Sequence, residues 1–94
     1  MKWMEKFQAI CKELETSMNR LTAILTYEPD MSDEEKLVVL SLFEVTGTSF
    51  MAFGDLAGKG NEADIDKALV ELQDIQLRMS FIIDKHPLIE SLTG

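Results

Sequence analysis

The sequence predicts an all-α protein: one domain over residues 1–94, folded as an antiparallel three-helix bundle with helices at about 2–26, 33–53 and 62–85 and a short C-terminal tail. Three observations predict it. Two stretches carry apolar residues at alternating steps of three and four, the spacing that lines up one face of a helix. Between them lies a long apolar stretch, Leu37 to Phe53, in which eleven of seventeen residues are apolar and only Glu44 is charged. Breaks rich in proline, glycine and acid separate the three.

The first helix is set by Met4, Phe7, Cys11, Leu14, Met18, Leu21 and Leu25, an unbroken heptad seam that Trp3, Ile10 and Ile24 widen on one flank. Glu5, Lys12, Glu15, Asn19 and Thr22 fall largely on the other side, so the helix is two-faced and belongs in a bundle. Cys11, within the seam, is expected to be a small buried hydrophobe. Glu28-Pro29-Asp30 ends the helix, because proline biases the residue before it away from helical geometry.

The second helix opens at Ser32, which with Glu35 three positions on has the form of a capping box. Asp33 and Glu34 add negative charge where the helix dipole favours it. Strands stop after about four to eight residues, and this stretch is more than twice that. Its inward face is expected to be Val39, Leu42, Phe43, Thr46, Phe50 and Phe53. Gly54 is the expected C-terminal stop and Gly54 to Gly60 a mobile interhelical turn, while the small residues Thr46 to Ser49 offer a place for a neighbouring backbone to approach.

Asn61 is the expected N-cap of the third helix, with Glu62 and Asp64 in the first turn. Ile65, Ala68, Leu72, Ile75, Met79 and Ile82 form its seam, flanked by Leu69 and Ile83. Pro87 stops it near Lys85 or His86, and Pro87 to Leu92 read as a turn over the bundle end.

Charge and composition bound the function. Seventeen acidic against nine basic residues leave a net charge of −8, which disfavours a nucleic-acid backbone or an anionic membrane as ligand. A lone cysteine rules out an internal disulfide, and the amino terminus lacks the apolar core of a signal peptide; the expected location is the cytoplasm. Glu44 and its polar neighbours keep the longest apolar run short of the roughly eighteen residues that a membrane span requires.

No stretch carries a catalytic, cofactor or metal motif, so the expectation is no enzyme, no cofactor and no metal. Gly54-Asp55-Leu56-Ala57-Gly58-Lys59-Gly60 departs from a phosphate-binding loop in spacing, in lacking Ser or Thr after the lysine, and in following a helix. Five carboxylates between Glu28 and Glu35 read as a solvated cap, since the glycine and late glutamate of a calcium loop are missing. Glu71-Leu72-Gln73-Asp74 has the ExxD spacing that resembles half of the magnesium site of MazG-type nucleotide pyrophosphohydrolases, which are all-helical. The glutamate-rich EExxE half is absent, because Lys36, Leu37 and Val38 follow Glu34-Glu35.

What remains once the bundle is built is apolar surplus. Leu37, Leu40 and Met51 surround Glu44 on the side of the second helix away from its core face, and Val70, Leu77 and Phe81 surround Asp74 on the third. Two such stripes on adjacent helices merge into a patch of the kind that marks an interface. The expected function is therefore that of a small acidic helical interaction module, of adaptor, chaperone or inhibitor type, that binds a partner protein and forms a homodimer. Its partner-binding residues are Leu37, Leu40, Glu44, Met51, Val70, Asp74, Leu77 and Phe81. The alternatives are an acidic inhibitor or nucleic-acid mimic that blocks a nucleic-acid-binding protein, and the magnesium-dependent pyrophosphohydrolase.

Overall fold

A computed structural model describes residues 2–28 and 30–86. It consists of three helices, α1 (Lys2–Tyr27), α2 (Asp33–Lys59) and α3 (Glu62–Asp84), and among the described residues there is no strand. The tail expected over Pro87 to Leu92 lies outside them. The chain runs up, down and up: Ser17 meets Gln76 where α1 and α3 lie side by side, while Trp3 meets Phe53 and Glu35 meets His86 at opposite ends of α2. The molecule is flattened, 45 × 25 × 15 Å, because α3 packs along both other helices whereas α1 and α2 barely touch.

One contiguous core joins the three helices. Leu14, Leu21 and Ile24 of α1, Val39 of α2 and Ile65, Leu72 and Met79 of α3 are sealed from solvent. At the end where α1 begins and α2 finishes, Phe7 stacks on Phe53 at 4.2 Å between centroids and meets Phe50 edge-on, and Trp3 closes on Phe53 at 5.6 Å. That aromatic cluster is the main place where α1 and α2 meet.

The start of α2 follows the expected chemistry by half. The Glu35 N–H donates to Ser32 Oγ at 3.1 Å, but the Glu35 carboxylate turns away from the cap to His86 Nε2, 3.2 Å distant. Asn61 caps α3 as expected, its side-chain oxygen accepting from the N–H groups of Ala63 and Asp64 at 3.1 and 3.3 Å.

Three expectations are corrected. First, α2 does not stop at Gly54. It continues to Lys59 and ends at Gly60, whose φ of 74° is the left-handed conformation that glycine adopts without strain and whose N–H returns to the Leu56 carbonyl. The half-buried Leu56 and Ala57 pack against the core, which favours continuing the helix over releasing a loop. Second, the buried face of α1 is turned from the heptad seam toward its flank. Ile10, Leu14, Ser17, Leu21 and Ile24 are buried, whereas Phe7, Cys11, Met18 and Leu25 are only half-buried and Met4 is 45% exposed. The cause is that α1 packs chiefly on α3, so the side of the seam nearest α2 has little to cover it. Third, Gly47 is not a point of close approach: a Cβ there would meet nothing within 4 Å.

On composition and length, α2 also passes as a helix able to cross a membrane, contrary to expectation, because Glu44 alone does not disqualify it and the six residues beyond Phe53 lengthen it. In the fold it lays Val39, Leu42, Thr46 and Phe53 against the core.

Candidate protein interface

All six apolar residues expected to bind a partner point away from the core. Leu37 is 64% exposed, Leu40 53%, Met51 79%, Val70 63%, Leu77 62% and Phe81 73%. Glu44 and Asp74 are exposed as well. Sequence periodicity placed the stripes correctly because residues 70, 74, 77 and 81 recur at helical spacing opposite the buried ladder of 65, 68, 72, 75 and 79.

The structure brings only part of that set together. Between α2 and α3 runs an open groove of about 680 Å³, lined by Leu37, Val70 and Asp74 from the expected residues and by Val38, Ser41, Val45, Ser49, Glu71 and Arg78. Leu42 and Ile75 form its floor, being buried residues that line it. Leu40, Glu44, Met51, Leu77 and Phe81 do not line it and flank it on the outer surfaces of the two helices. Val38 and Val45, each about half exposed, are interface candidates that the reading by stripes missed. Their signal was present, since 38, 41, 45 and 49 form a ladder of threes and fours one step round the helix from Leu37.

The electrostatics of the groove are muted. Arg78 Nε donates to Asp74 Oδ2 at 3.1 Å, an exposed pair one helical turn apart. With Glu71 these are the charged groups lining the groove, so most of the acidic surplus lies elsewhere. Glu71 and Asp74, the ExxD pair, thus share a wall with an arginine already on Asp74. Among the described residues no group of three or more His, Cys, Asp or Glu side chains is placed to hold a metal ion.

A second cluster sits where three helix ends converge. His86 Nδ1 lies 3.5 Å from Glu28 Oε2 and Nε2 lies 3.2 Å from Glu35 Oε2. Glu28 and His86 are nearly buried there, and Glu28 also accepts the Asp30 N–H at 3.2 Å. The solvated acidic cap is thereby corrected: Asp30, Asp33 and Glu34 are exposed, but Glu28 and Glu35 are engaged by the imidazole. Sequence could not pair residues 51 and 58 positions apart. Burial pushes the Cys11 thiol pKa up.

No protein-family model, curated protein or solved structure matches this chain.

Proposed function

We propose that this chain acts by binding protein through the face of α2 and α3 that carries the groove. One observation supports this above the rest: eight large apolar side chains on these two helices, the six expected and Val38 and Val45, are about half or more exposed beside a concave apolar surface. Apolar area is worth about 25 cal/mol per Å² when removed from water, so a face of this kind favours being covered. Its few charges, partly paired, favour an apolar contact over imitation of nucleic acid.

A photoreactive amino acid at position 41 or 70, in the groove, and at position 12, on the far side of α1, tests the reading in the cells that make the protein. Protein-sized cross-links from 41 and 70 but not from 12 are expected. Equal labelling from all three positions, or none from any, overturns the proposal.

A further inference from the structure

Resting on that reading, we infer that the occupant of the groove is a second copy of this chain, related by a two-fold axis that crosses α2 and α3 at right angles near Asp74. Two arguments carry this, one of area and one of charge.

Leu37, Val38, Val45 and Val70 line the groove, and Leu77 and Phe81 continue the α3 stripe of Val70. At roughly 100 Å² each these six exposed side chains reach the top of the 300–600 Å² of a typical monomer's largest patch and approach the about 800 Å² per partner of a standard stable interface. One face of a chain this small holds an interface of that size when the same face serves both partners.

Charge sets the register. Since α2 and α3 are antiparallel with Glu35 against His86, Asp74 lies level with Gly47, twelve residues along each helix. A two-fold at that level runs each helix antiparallel to its own copy. On α3, Glu71 stands three residues before the axis and Arg78 four after it, so each Arg78 comes opposite Glu71 of the second copy. The Arg78 guanidinium holds Asp74 through Nε, and its terminal nitrogens lie outside that bond. On α2 the same axis sets Glu34, thirteen residues before Gly47, opposite Lys59 of the second copy, twelve after it. One register thus joins acid to base on both helices and leaves Asp74 on the axis held by its own Arg78. It stacks the α2–α3 pair on its copy so that every neighbouring pair of these four helices is antiparallel, the arrangement of ordinary bundles.

Sedimentation equilibrium from 5 to 200 µM tests this on the whole chain. A dimer is expected, with Val70→Asp, an exposed position, shifting it to monomer while the helical circular dichroism stays unchanged. Glu71→Arg and Arg78→Glu are each expected to weaken dimerisation roughly tenfold by setting like charges face to face. The double variant restores it, because the exchanged pair is again complementary. A wild-type chain that stays monomeric at 200 µM, or a double variant no tighter than the single ones, overturns the inference. A monomer that still cross-links to a different protein from position 70 overturns it too and leaves the protein-binding reading standing.

Discussion

The Ser17 hydroxyl donates a 2.8 Å hydrogen bond to Gln76 Oε1 across the α1–α3 contact, and the Gln76 amide nitrogen in turn donates to Ser80 Oγ at 3.3 Å. Ser17 is one of only two buried polar residues among those described; the other, Thr46, satisfies itself by donating to the Leu42 carbonyl at 2.6 Å. Ser17 is therefore the polar group that ties two helices rather than one. It also fixes their relative height, because a shift of one residue breaks the bond.

Ser17→Ala is expected to cost about 1 kcal/mol, the ordinary net worth of a hydrogen bond plus the desolvation of the acceptor left behind. Gln76→Ala should cost a similar amount, and the double variant less than the sum. Urea unfolding of the four proteins checks this, and strictly additive losses would show that the two side chains do not stabilise one another.

At the other end of the molecule, His86→Ala removes the group that joins the segment after α1, the start of α2 and the end of α3. Glu28 is nearly buried and loses its imidazole partner, whereas Glu35 is partly solvated and loses less. The expected loss is about 1–2 kcal/mol, with faster amide exchange at Asp30 to Glu35 than elsewhere. Uniform acceleration across all three helices, or none, contradicts this role.

How far the sequence carried the reading depends on what set each feature. Helix identity and the outward stripes follow from local periodicity and from caps such as Ser32 and Asn61, which a chain specifies by itself. The rotation of α1 did not follow, because Ser17 breaks the apolar ladder on paper and becomes buried only through Gln76, 59 residues away. The end of α2 was misplaced because Gly54 and Gly58 look like stops, while Gly60 alone takes positive φ. The His86 cluster and the groove between α2 and α3 exist only once helices distant in sequence are side by side. Of the eight expected site residues, Leu37, Val70 and Asp74 line that groove; periodicity assigns residues to a side of a helix, but where along that side two helices leave a groove is set by how they pack.

The glycines of α2 give a prediction of opposite sign. Gly47 lies in the middle of a helix with open space where a Cβ would go, so it contributes flexibility to the unfolded chain and no packing to the folded one. Gly47→Ala is expected to stabilise by about 0.5–1 kcal/mol, raising the melting temperature by roughly 4 °C. Gly60→Ala should destabilise by about 1 kcal/mol, since its φ of 74° crowds any Cβ against the backbone. Thermal melts of the two variants check both signs; a Gly47→Ala protein that melts lower would place something against that face of α2.

Cys11 gives the pH dependence. Burial disfavours the thiolate and holds the pKa of the folded-state thiol above its ordinary value. Over the range just above that value the folded chain keeps a proton that the unfolded chain releases, so stability falls as pH rises. The contribution is fully present below the ordinary thiol range and is lost as pH climbs through the raised value. The comparison is between the slopes of the two curves. Urea midpoints of the wild type and of Cys11→Ala, measured from pH 7 to 10.5, should diverge, the wild type losing more on the alkaline side. A neutral-pH offset is expected as well, because alanine removes the partly buried sulfur, but it does not depend on pH. Parallel curves across the whole range would mean that the thiol ionises as freely in the bundle as in the open chain.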